Sequence, residues 1–221
     1  MLLHVVRHAE SLANISRSSQ VDCDLSDLGR GQVRAVAAEL ARMGVDRVLS
    51  SPYRRTLCTA SGIAEAARVP LEVFPLLHEH HPSAFGADWP LMTRSELVVN
   101  FPEVVLPDDL ADRDWHRPPE TDHQVLERMA RAIESIEARL GSGSERLVLV
   151  THGSPGWKLL SAFMGVTDVA RAEVTIANAS ITTLETSGSR RYVRCVNRTD
   201  HLRDVQPEAA VTPATPEPVW L

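Results

Sequence analysis

Leu2-Leu3-His4-Val5-Val6-Arg7-His8-Ala9-Glu10 begins as a short apolar run and turns polar at Arg7. Leu2 to Val6 is too short for a helix and suits a buried strand that ends in a polar loop. The same pattern recurs outward from it. Arg47-Val48-Leu49-Ser50 runs into Ser51-Pro52, Leu71 to Phe74 reads as a third strand, and Arg146 to Val150 runs into Thr151-His152-Gly153-Ser154-Pro155. Helical patterns lie between these runs. Ser26 is an N-cap ahead of Leu28, Val33, Val36, Ala37, Leu40 and Met43, and Gly44 stops the series. Ser51-Pro52 reads as a cap followed by a first-turn proline, leading into Thr56, Leu57, Ala60, Ile63, Ala64 and Ala67. Val125, Leu126, Met129, Ile133, Ile136 and Leu140 mark a long amphipathic helix from about Thr121 to Gly141, and a short apolar helix surrounds Trp157 to Phe163. Ser180 to Thr186 and Arg191 to Asn197 form a hairpin.

Strands alternating with helices predict a three-layer α/β/α sandwich with a mainly parallel sheet carrying at least one antiparallel strand. Residues from about 80 to 120, rich in Pro, His and aromatic side chains with one helix at Arg94 to Phe101, read as a small inserted cap. Residues 1–205 then form one domain, and the Pro-rich segment 206–221 a poorly ordered tail.

The chain has 221 residues, 43% hydrophobic and 24% charged, the composition of one globular domain and not of a disordered chain. No run approaches the roughly 18 to 20 apolar residues of a membrane helix, and the start does not read as a signal peptide, so a cytoplasmic location is expected. Cys23, Cys58 and Cys195 are odd in number and widely spaced, which favours reduced thiols over disulfides or a zinc centre. A net charge of -6 without a basic run argues against nucleic acid, so an anionic ligand needs a locally basic pocket.

Ligands of open α/β sheets collect beyond the carboxyl ends of the strands. Three such ends carry Arg7-His8, Ser51 with Arg54 or Arg55, and His152-Gly153. Two histidines and an arginine meeting in one crevice, beside helix starts with exposed N–H groups, make a site for a compact anion such as phosphate.

In these residues the chain resembles the histidine phosphatase superfamily, the phosphoglycerate-mutase-like proteins. Arg7-His8-Ala9-Glu10 with Asn14 is similar to the family's Arg-His-Gly-Glu motif and the Asn after it. Leu25 to Gln32 resembles its Leu-Thr-x-x-Gly-x-x-Gln helix start. Ser50-Ser51-Pro52-Tyr53-Arg54-Arg55 with Thr59-Ala60 resembles its Ser-Ser-Pro-x-x-Arg block, which selects Arg55 over Arg54. Val150-Thr151-His152-Gly153 resembles the second histidine motif, and Asn178 to Ile181 and Asn197 to Leu202 resemble later blocks.

The resemblance implies a metal-independent phosphomonoester hydrolase without a cofactor, acting on a small phosphorylated metabolite through a phosphohistidine. His8 is then the nucleophile, its other ring nitrogen held as a donor to a backbone carbonyl. Arg7, Arg55 and His152 surround the phosphoryl oxygens, and Glu79, shortly after the third strand, gives the leaving group its proton. Asn14, Gln20 and Gly153 complete the expected substrate contacts. Ala9 stands where the family has glycine, which predicts strain or a small shift of the backbone there.

Competing readings are a phosphoglycerate-mutase-type phosphoryl transferase, set against hydrolysis by Gln20, which resembles the phosphatase branch, and a regulatory module that binds phosphate but turns over slowly. His78, His80 and His81 invite a metal site, but Pro82 breaks a His-Glu-x-x-His pattern, and three close histidines on a loop are expected to face solvent or substrate. Gly153-Ser154-Pro155-Gly156 lacks the first glycine of a nucleophile elbow. Phe85, Trp89, Met92, Arg94, Trp115, His116 and Arg117 are the cap residues expected to set specificity.

Overall fold

The central strand β1 (Leu2–Arg7) lies between β4 (Arg146–Thr151), parallel to it, and β5 (Ile181–Ser187), antiparallel to it. The computed structural model describes residues 1–18, 20–81, 91–108, 110, 119–140, 144–169 and 173–206. Among them β2 (Arg47–Ser50), β3 (Leu71–Val73) and β6 (Arg190–Arg198) complete one six-stranded sheet in the order β3-β2-β4-β1-β5-β6. The first four are parallel to one another, and the β5–β6 hairpin supplies the antiparallel pairing.

Alternation along each strand sends its side chains to opposite faces, and both faces are apolar because helices cover both. On one face α1 (Asp27–Met43) and α2 (Arg54–Ala67) bury Val36, Leu40, Ala60 and Ile63 against Val6, Val48, Val148 and Val150. On the other, α4 (Asp122–Leu140) and α5 (Gly153–Phe163) bury Met129, Ile133, Leu159 and Phe163 against Leu3, Val5, Leu147 and Leu149. The sandwich is therefore the expected one.

Two helix starts differ from expectation. The second helix begins at Arg54, not at Ser51-Pro52, and its first N–H donates to Asp22 Oδ1 at 2.6 Å. The fifth begins at Gly153, four residues before Trp157, since Pro155 in the first turn has no N–H that the helix would need. In the expected cap, α3 (Arg94–Asn100) starts with a capping box between Thr93 and Glu96. Its Leu97, with Met92, Phe101 and Leu110, packs on Leu57 of α2 and Val73 of β3. Phe85, Trp89, Trp115, His116 and Arg117 lie outside the described residues, as does the segment 207–221. Among the described residues no helix is long and apolar enough to cross a membrane.

Candidate active site

Because β1, β2 and β4 are neighbours and parallel, their carboxyl ends open side by side and bring His8, Ser51 and His152 together. The His8 N–H donates to Thr151 O at 2.9 Å, which extends the β1–β4 ladder by one step. His8 Nδ1 lies 2.8 Å from the carbonyl of Ala9. A carbonyl only accepts, so Nδ1 carries the proton and Nε2 presents a lone pair. Gly29 lets α1 come close to the backbone of Glu10, since a side chain there would collide with the Glu10 carbonyl.

Arg55, in the first turn of α2, aims at that lone pair: its Nε donates to His8 Nε2 at 3.2 Å. The same guanidinium donates from Nη1 to Val21 O at 2.7 Å and from Nη2 to His152 Nδ1 at 3.1 Å, with Glu79 Oε2 at 3.4 Å. It lies 4.7 Å over the ring of Tyr53, which also meets His152 edge-on at 4.8 Å. Arg54 turns away to Met92 Sδ and Asn100 Oδ1.

His152 accepts from Arg55 on Nδ1, so its Nε2–H donates to Ser51 Oγ, 2.8 Å away. This bond occupies the hydroxyl expected to cap α2. Burial, and after it the charge of Arg55, holds both imidazoles well below the ordinary histidine value, so both are neutral at pH 7. Arg7 donates to Ile176 O at 2.6 Å and packs near Gly153, at the start of α5.

Glu79 is buried, 7% exposed. Its Oε2 stands 3.3 Å from His152 Nδ1, and its Oε1 accepts from the His80 N–H at 2.9 Å. The loop is held from α4: buried Arg128 donates to Leu76 O at 2.6 Å and His78 O at 2.9 Å, and pairs with Glu120 through two bonds of 2.8 and 2.7 Å. His78 and His81 are buried rather than facing solvent, His78 Nδ1 donating to Glu79 O and His80 Nε2 to Glu120 O. They form no metal cluster among the described residues.

His8, Glu79 and His152 do place one potential ligand atom each within 4.8 Å of one another. The Arg55 guanidinium reaches all three, so a fixed cation already stands against that triangle. Such a cup suits an anion with several oxygens.

Other expectations meet the structure differently. Asn14 accepts from Ser11 N–H and Oγ, each at 3.0 Å, and from Asn178 Nδ2 at 3.3 Å, so it shapes the loop behind His8. Gln20 is exposed, and among the described residues its side chain makes no hydrogen bond to the groups around His8. Ala9 does not adopt positive φ, so the expected strain is absent. Its N–H donates to Thr59 Oγ1 at 3.1 Å, and its methyl lies in the core.

Sequence reasoning gave no role to the brace behind the nucleophile. Asn178 Nδ2 donates to His8 O at 2.9 Å, the Ala179 N–H donates to Arg7 O at 3.0 Å, and His201 Nε2 donates to Ala179 O at 2.9 Å. Ala179 and Asn197 both hold positive φ, 54° and 53°, an unusual state for side-chain-bearing residues that the surrounding bonds impose. The available signal was the resemblance of these two stretches to later family blocks.

The sequence pattern that defines the histidine phosphatase superfamily (branch 1) matches residues 3–199. Phosphoserine phosphatase 1 of Hydrogenobacter thermophilus is 29% identical over 218 residues, 94% of this chain and 97% of that protein. A probable phosphoglycerate mutase of Proteus mirabilis is 28% identical over 85% of this chain and 86% of that protein. The structure of a mycobacterial glucosyl-3-phosphoglycerate phosphatase with VO3 superposes with a TM-score of 0.67 at 25% identity, covering 90% of this chain and 99% of the other.

Proposed function

The chain belongs to the histidine phosphatase superfamily, and on that premise we propose that it hydrolyses phosphomonoesters of a small metabolite through phospho-His8, without a metal. The observation that carries this is the His8 ring: Nδ1 bonded to Ala9 O, Nε2 unprotonated and accepting from Arg55. In the first step the Nε2 lone pair attacks phosphorus, the ester P–O bond breaks, and Glu79 protonates the departing alkoxide. In the second step water attacks phospho-His8, the N–P bond breaks, and Glu79 takes the water proton. Arg7 and Arg55 face the oxygens on which charge develops, and the His152 ring, whose Nδ1 accepts from Arg55, orients that guanidinium. Residues 1–205 are read as the catalytic unit and about 80–120 as its cap. The three cysteines form no disulfide, which suits a reducing cytoplasm.

Rapid quench with labelled substrate is expected to trap acid-labile, base-stable phosphate on the protein. His8→Ala should abolish the label and lose roughly 10³-fold or more in rate while remaining folded. Normal turnover in that variant would refute the mechanism. A second reading, phosphoryl transfer as in a mutase, is supported by the similarity to the Proteus protein; it predicts label moving to an added phosphorylated acceptor instead of water.

A further inference from the structure

Lys158 is 2% exposed and takes no part in the mechanism above. Helical side chains lean towards the helix N-terminus, and Lys158 does so along α5. Its Nζ donates to Ser154 Oγ at 2.7 Å and lies 4.7 Å over the Trp157 ring. Ser154 is two residues beyond His152. On the other side stands His80, next to Glu79, its Nδ1 3.4 Å from the same Ser154 Oγ. The ammonium thus sits where the two segments that carry His152 and Glu79 meet. The Trp157 Nε1–H, also buried, has no hydrogen-bond partner among the described residues.

The counter-ion is unequal to this cation. Asp122 Oδ1 pairs with Nζ at 2.6 Å, but the Asp122 side chain is 64% exposed. An ammonium withdrawn from water needs a well-held anion to offset its lost hydration. Asp122 can return to solvent at small cost, so an incoming anion can take its place on Lys158. The single charge of Lys158 matches a carboxylate better than a second, doubly charged phosphoryl group.

We infer that Lys158, flanked by Ser154 and His80, is a specificity-determining subsite that receives the carboxylate of a phosphorylated hydroxy acid, with Asp122 holding that place in the free enzyme. This assignment rests on the phosphomonoesterase reading and narrows its substrate class. O-Phosphoserine and O-phosphoethanolamine differ only in that carboxylate, so the ratio of their kcat/KM values isolates the subsite. The ratio should favour phosphoserine in the wild type and fall roughly 10- to 100-fold in Lys158→Met, as for loss of a charged hydrogen-bond donor. Asp122→Asn, which removes the competitor, should raise it, and carries the test alone if Lys158→Met does not fold. A wild-type ratio near one, an unchanged ratio in Lys158→Met, or an unchanged or lower one in Asp122→Asn would overturn the subsite while leaving hydrolysis intact. Failure of the wild type to hydrolyse either ester while it cleaves p-nitrophenyl phosphate would also overturn the subsite, and failure on all three would instead refute the phosphomonoesterase reading itself.

Discussion

Arg55 donates from Nε to the Nε2 of His8 across 3.2 Å, holding a guanidinium against the lone pair proposed to attack phosphorus. Burial and, after it, this contact keep the imidazole neutral, and the contact aims it. It also puts a permanent positive charge among His8, Glu79 and His152, a two-histidine, one-carboxylate set of the kind that zinc enzymes use.

Arg55→Ala should therefore have two effects. The rate should fall by roughly 10² to 10³ as the charge opposite the transferring phosphoryl group is lost. The emptied triangle should bind zinc at least about tenfold more tightly than the wild type, measured by calorimetric titration. The wild-type enzyme should keep its activity after exhaustive EDTA treatment. Equal zinc affinities, or wild-type activity that vanishes with chelator and returns with metal, would contradict this account.

Glu79→Gln should separate leaving groups. Alkyl phosphates, whose alkoxide needs a proton, should lose about 10²-fold in rate. p-Nitrophenyl phosphate barely needs that proton and should lose much less. The check is a pair of steady-state profiles; matching losses would assign Glu79 a structural role.

Arg128→Met should destabilise the fold by about 3–5 kcal/mol, because Glu120 is left half-buried without its partner and two carbonyls of the Glu79 loop lose their donor. Adding Glu120→Leu should recover part of the loss, a non-additivity that urea unfolding of the four proteins measures. Additive losses would mean that the pair is uncoupled.

His4 predicts the behaviour in acid. It is fully buried beside Thr183 Oγ1, and burial lowers its pKa to about 4 from an ordinary 6.5. Between these values the unfolded chain binds a proton that the folded chain refuses. The contribution is therefore complete above pH 6.5 and lost as pH falls towards 4. His4→Gln should lose about 2 kcal/mol less stability than the wild type between pH 7 and 4.5. Parallel stability curves for the two proteins would exclude this role.

The fold was legible where short apolar runs end abruptly in polar residues, as at Arg7, Ser51 and His152, because a buried strand and its exposed mouth differ sharply in composition. The start of α2 was not, because its cap comes from Asp22 and the nearer candidate, Ser51, is engaged by His152. Nor was the burial of His78 and His81 legible, since it depends on α4 closing over the loop through Arg128 and Glu120. Ala9 departed from the family motif without strain because its backbone stays outside the region that demands glycine. Reactive groups were readable because their chemistry restricts residue type; the residues that hold them act through backbone bonds that many sequences can make.

The brace from Asn178, Ala179 and His201 to the backbone of Arg7 and His8 joins distant parts of the sequence in time as well as in space. Synthesis delivers the nucleophile some 170 residues ahead of its support. A growing chain stalled before residue 178 already contains every residue proposed to touch phosphate, yet lacks the donors that hold the carbonyls of Arg7 and His8. Onset of turnover on the ribosome would then require emergence of the β5–β6 hairpin and of the turn that carries His201.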